Sequence, residues 1–106
     1  MKFNFMRQEL ELRRSVYKDG HVAIIIVHPD TGNLWGNLTV NTPGFTFPEK
    51  ELAVKTYGDN VNIAEVIFNT GLFKDTGKRS KNDSGTAVEF WKFRKRSSIR
   101  EIPAIT

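Results

Sequence analysis

From Gln8 to Tyr17 the chain alternates, with Leu10, Leu12 and Val16 set between Glu9, Glu11, Arg13 and Ser15. A period of two marks a strand with one dry face and one wet face. Arg14 falls on the dry side, which predicts a place near the strand's end or edge. Lys18-Asp19-Gly20 comes next, and Asp-Gly between two apolar runs predicts a hairpin because Gly accepts positive φ without strain. From His21 to His28, the run Val22-Ala23-Ile24-Ile25-Ile26-Val27 is apolar at every position and mostly β-branched, the pattern of a central strand covered on both faces. After the turn Pro29-Asp30-Thr31-Gly32-Asn33, a third strand is predicted from Leu34 to Asn41. It sets Leu34, Leu38 and Val40 on one face and Trp35, Asn37, Thr39 and Asn41 on the other. Gly36 within it predicts a bulge or the close approach of another backbone.

Thr42-Pro43-Gly44 ends this antiparallel meander. Leu52 to Tyr57 reads as a short strand that stops at Gly58. One helix follows: Asp59 or Asn60 caps it, Val61, Ile63, Ala64, Val66, Ile67 and Phe68 form its apolar stripe, and Gly71 stops it. At about three turns it can stand only by packing on the sheet. Lys74 to Gly85 is polar, contains Gly and Ser, and reads as a mobile loop. Thr86 to Phe93 is the closing strand. Beyond it, Arg94 to Thr106 shows no clear period and is expected to be a partly disordered basic tail. The predicted architecture is α+β: an antiparallel sheet of about five strands with one helix packed on a face. It fills residues 1–93, with 94–106 as the tail.

Composition narrows this picture. A chain of 106 residues is large enough for one core without staples. There is no cysteine, which excludes disulfides, thiolate catalysis and cysteine-based zinc sites. No window approaches the roughly 18 apolar residues of a membrane span. The N-terminus meets Glu9 before any apolar core segment, so no signal peptide is expected and the expected location is the cytoplasm.

Charge is distributed unevenly. From Lys74 to Arg100 there are nine Lys/Arg against three Asp/Glu, while the whole chain is at net +4, so the remainder is net negative. Such asymmetry implies an anionic partner. Phe90, Trp91 and Phe93 interleave with Lys92, Arg94, Lys95 and Arg96, which are the ingredients of a nucleic-acid surface: cations for phosphates and rings for bases. The same residues equally suit a strand with core-facing rings that ends in a solvated cation run. Both readings stay open. Asp75-Thr76-Gly77-Lys78-Arg79-Ser80 resembles a Gly-Lys-Ser phosphate cradle but lacks the upstream glycine and a following helix. Lys78, Arg79 and Lys81 are nonetheless candidates for holding an anion in a basic loop.

Catalytic chemistry finds no foothold. His21 and His28 lie at opposite ends of one predicted strand, about 23 Å apart, and cannot share a metal. Glu9 and Glu11 share a strand face with Arg13, Asp30 belongs to a turn and Asp59 to a helix cap, so no acid pair is placed for general acid–base work. No catalytic residue, metal or cofactor is assigned, and the chain is expected not to be an enzyme.

Several short motifs taken together bring a family into view. Gly36-Asn37-Leu38-Thr39-Val40-Asn41-Thr42-Pro43-Gly44, the strand ending at Tyr57, the helix ending Asn69-Thr70-Gly71-Leu72, then Thr76-Gly77-Lys78-Arg79 and Ser84-Gly85 resemble the bacterial domain-of-unknown-function family 4313. The likeness covers about Tyr17 to Phe93. The extra cations of Lys74–Gly85, of Lys92–Arg96 and of the tail depart from that pattern. The resemblance implies a small accessory protein of plasmids, conjugative elements or phages with no assigned activity.

The expected function is therefore non-catalytic binding of a host macromolecule, such as a CRISPR defence complex, through the basic aromatic C-terminal region, with Trp91 or Trp35 as anchor. The alternatives are a nucleotide or second-messenger sponge built on Lys78–Lys81 and a non-specific nucleic-acid-binding accessory protein. The expected partner is an anionic macromolecule, either nucleic acid or an acidic or nucleic-acid-bound protein. Self-association through an exposed strand edge stays open.

Overall fold

The computed structural model describes residues 1–40, 51–81, 87–94 and 99–101. Asn41, the Thr42-Pro43-Gly44 turn, Ser84-Gly85, Thr86, Lys95 and Arg96 lie outside the described residues.

The predicted hairpin forms as β2 (Gln8–Val16) and β3 (Val22–Val27), antiparallel, closed by Gly20 at φ 90°. All of β3 except Ile25 is buried, as its unbroken apolar run predicts. In β2, Leu10 and Leu12 are buried, but toward the hairpin the dry face changes: Val16 is exposed while Ser15, facing Ala23 across the ladder, is buried. Arg14 sits on this strand with its guanidinium 4.9 Å from the Phe93 ring centroid, which accounts for a cation on the apolar side.

A strand not predicted from the pattern precedes the hairpin. β1 (Lys2–Phe5) pairs antiparallel with β2 through the two-residue link Met6-Arg7. The third predicted strand is shorter than expected, β4 (Leu34–Asn37), antiparallel to β3. The bulge that Gly36 predicts is present: Ile26 pairs with Gly36 and Val27 with Leu34, which leaves Trp35 as the extra residue. The shift also changes the faces, so that Leu34 is exposed and Trp35 packs partly against the core.

Past Asn37 the chain passes from one sheet to the next. Leu38 N–H still donates to Ile24 O (3.0 Å), while Thr39 bridges Val54 in β5 (Glu51–Val54). Thr39 Oγ1 also accepts the Ile24 N–H at 3.0 Å and lies 2.8 Å from the Tyr17 hydroxyl. Burial pushes the Tyr17 phenol up from its ordinary pKa, partly offset by that hydrogen bond.

The single predicted sheet is therefore two. The first runs β1-β2-β3-β4; the second runs β5-β7-β6, with β6 at Phe73–Lys81 and β7 at Ala87–Phe93. The stretch expected as a loop from Lys74 is an edge strand, because its backbone pairs with β7 from Phe73 to Asp75 and again from Arg79 to Lys81. Thr76-Gly77-Lys78 is the break between these ladders, with Gly77 at φ 83°. The expected closing strand is instead the centre of its sheet. The C-terminal stretch is not wholly a tail either: Ile99 is buried, and β8 (Arg100–Glu101) pairs parallel with Arg13 and Arg14 beside β1.

The helix α1 spans Val61–Phe68, two turns rather than three, after a 3₁₀ turn at Gly58–Asn60. Ile63, Ala64 and Ile67 face a core shared with Leu10, Leu12, Ile24 and Ile26 of the first sheet and Leu52, Val54, Phe73 and Trp91 of the second. Val61, expected in the stripe, is exposed. Asn60 occupies the cap position without a side-chain cap; its Nδ2 donates instead to Asn37 O (2.7 Å) and Lys55 O (3.1 Å). This buried amide joins the ends of β4 and β5 to the helix start. Gly71, at φ 82°, follows the helix as predicted.

Candidate anion-binding site

The basic stretch divides between two settings on the β5-β7-β6 sheet. Toward the C-terminal end of β6, Lys78 and Arg79 are matched by acids. Arg79 grips Asp75 with two guanidinium nitrogens, at 2.9 and 2.7 Å, and approaches Glu89 of β7 at 3.6 Å. Lys78 donates at 2.9 Å to Glu51 Oε2 of β5, which lies beyond β7 in the sheet. The Arg79 hydrogen bonds hold the Asp75 carboxyl below its ordinary range, and the Gly77 backbone N–H adds to this against the opposing pull of burial. The Asp75 hydrogen bond in turn raises Arg79. Thr76 Oγ1 donates to Phe90 O at 2.7 Å and locks the bulge onto β7. The expected phosphate-holding loop is thus a strand whose two central cations already have anionic partners. Lys81 ends β6 and is exposed.

The N-terminal end of β6 differs. Lys74 stands directly opposite Lys92 across the β6-β7 ladder. Like charges facing each other at about 5 Å between Cβ atoms destabilise a sheet, so this pair works against the fold. Arg94 follows just past β7, where its backbone N–H donates to Leu72 O (2.9 Å). Lys74, Lys92 and Arg94 are all exposed and make no ion pair with another described residue. They line one open cleft of about 770 Å³ with Phe68, Phe73, Asp75 and Phe93. Its only acid among the described residues, Asp75, is committed to Arg79. Phe93 is half-buried, packed 5.3 Å from Phe73 between ring centroids and covered on one side by Arg14.

The two tryptophans fall differently from expectation. Trp91 is only 3% exposed: its ring packs at 5.0 Å on Phe68 and 5.7 Å on Phe73, and its Nε1–H donates to Glu89 Oε1 (3.1 Å). It is a core residue and offers no ring to a partner. Trp35 is partly buried and belongs to another part of the surface, edge-on to Phe5 at 5.9 Å. Among the predicted site residues, Lys92 and Arg94 therefore meet in one cleft, whereas Lys78 and Arg79 are drawn into ion pairs. Lys74 enters the site only through strand register, which a loop reading of β6 could not give.

The histidines do not converge. His21 sits beside its own turn, with Nδ1 3.2 Å from Asp19 Oδ2, at the opposite end of β3 from His28. Among the described residues, no group of three or more His, Asp or Glu side chains is placed to hold a metal.

No helix among the described residues is long and apolar enough to cross a membrane. Compared with known proteins, the chain matches no family model, no curated protein and no solved structure.

Proposed function

We propose that this protein is a non-catalytic binding protein that docks a nucleic-acid strand along the Lys74–Lys92–Arg94 cleft. The observation that carries the reading is the Lys74–Lys92 pair, two cations placed face to face beside a third, while Glu51, the acid across from Lys92 on β5, is already held by Lys78. An anion bridging them removes a repulsion on the order of 1 kcal/mol and gains charge-assisted hydrogen bonds. A phosphodiester backbone supplies such anions in series, and the half-buried Phe93 and Phe68 give the cleft the apolar floor on which sugars and bases rest. In the setting implied by the motif resemblance, the strand would belong to a nucleic-acid-loaded host defence complex.

Fluorescence anisotropy with a single-stranded oligonucleotide tests this. Three phosphate contacts give a log K against log salt slope of about −2, and Lys92→Glu flattens it. A flat slope, or an unchanged one in Lys92→Glu, overturns the reading. Equal competition by polyglutamate would assign the cleft to an acidic protein instead.

A further inference from the structure

Away from the cationic cleft, two local rules are broken side by side. Met6 and Arg7 link β1 to β2 with φ of 49° and 65°. Positive φ at both central residues is the turn geometry that matches strand twist, and Asn-Gly or Asp-Gly fills it without strain. Met and Arg hold it at a cost of about 1–2 kcal/mol each, and Met6 is left 77% exposed. Folding alone would favour Asn-Gly here, so the side chains themselves are what this turn retains. The second breach is Trp35, the unpaired residue of the β4 bulge, a device that re-aims a side chain.

Both open onto one cleft of about 490 Å³, a size suited to a small ligand. Phe5 braces Trp35 edge-on, and the buried Asn60 amide ties the backbone of Asn37 to that of Lys55, fixing both walls. Asn37, Asp59 and Asn62 are exposed at the rim and commit no side-chain hydrogen bond to another described residue. Lys55 adds a single cation, its Nζ 5.6 Å from the Tyr57 ring centroid.

We propose that this cleft binds a mononucleotide, with its base on Trp35 under the Met6 thioether. Aromatic and thioether surfaces suit a flat polarizable ring, and free amides match the donor and acceptor edges of a base. Asn37 and Asn62 read that edge, Asp59 accepts from ribose hydroxyls and Lys55 takes the phosphate. The cation is what favours a nucleotide over a neutral sugar. The site is separate from the Lys74–Lys92–Arg94 cleft and does not depend on it.

Calorimetric titration of the full chain with AMP, GMP, CMP and UMP tests the assignment, with tryptophan fluorescence as the second readout, since Trp91 is buried and Trp35 only partly so. The expected result is saturable binding of at least one nucleotide, quenching of the fluorescence, and a loss of about tenfold or more in Trp35→Leu. The double variant Met6→Asn, Arg7→Gly is expected to melt at a higher temperature yet bind more weakly, which separates the turn's ligand role from its folding role. Four results overturn the proposal: no saturation by any of the four at about 1 mM, equal binding of monosaccharides, unchanged affinity in the double variant, or loss of mononucleotide binding in Lys92→Glu. A flat oligonucleotide salt slope with mononucleotide binding intact would instead sink only the cationic-cleft reading.

Discussion

The two ends of β6 are built from similar residues and end in opposite electrostatic states. Near Arg79, Asp75 and Glu89 converge on one guanidinium, and Glu51 reaches Lys78 from β5, beyond β7. Near Lys74, the facing residue is Lys92 and the following cation is Arg94, and Glu51, the acid across from Lys92 on β5, is held by Lys78. Strand register makes the difference: it sets Arg79 opposite Glu89 and Lys74 opposite Lys92. Counting charge along the chain therefore overstates one cluster and cannot show that Lys74 joins Lys92 in the other. A cation satisfied within the fold contributes to stability, and one left facing a like charge is available to a partner.

Three experiments press on that contrast, beginning with the core that underlies both ends. Trp91→Ala should cost about 3–5 kcal/mol in urea unfolding, because the ring packs against Phe68 and Phe73 beneath the sheet. A loss under about 1 kcal/mol would place the ring outside the core and restore it as a surface anchor. Next, Asp75→Asn should lower stability at neutral pH by about 1 kcal/mol or less, since the pair it breaks is bidentate but partly exposed. The Asp75 carboxyl and that of Glu11, which the hydrogen bond from Arg13 holds down, titrate lower in the folded chain than in the unfolded one. Their contribution is present above the ordinary carboxylate range and is lost as pH falls through the depressed values. Unfolding measured from about pH 5 downward should show this decline, shallower in Asp75→Asn. A pH profile identical in variant and parent would mean that the matched end is electrostatically idle. Last, Lys74→Glu should raise stability by about 0.2–1 kcal/mol by turning a like-charge pair into an opposite one, while weakening oligonucleotide binding. A variant that is less stable and binds unchanged would remove the contrast.

Much of the architecture was legible from local pattern. The unbroken apolar run of β3, the Asp19-Gly20 turn, the Gly36 bulge and the helix stopped before Gly71 each follow from side-chain period or from glycine's freedom. β1 was not legible, because Met6-Arg7 carries none of the usual turn chemistry. Nor was β6, whose sequence Lys-Asp-Thr-Gly-Lys-Arg-Ser-Lys has the polarity of a loop and forms a strand only because β7 offers it backbone partners.

The candidate site shows the same limit. The excess of cations, the presence of Lys92 and Arg94 beside rings, and the lack of cysteine chemistry are properties of the sequence alone, since they need only composition and neighbourhood. Which ring is buried, which lysine faces which, and which arginine already holds a carboxylate were decided by tertiary structure. The physical reason is that burial and charge pairing depend on residues brought together across strands: Glu51 to Lys78, Asp75 to Trp91, Lys74 to Lys92. Those juxtapositions belong to the register between strands, which no single stretch of the chain contains.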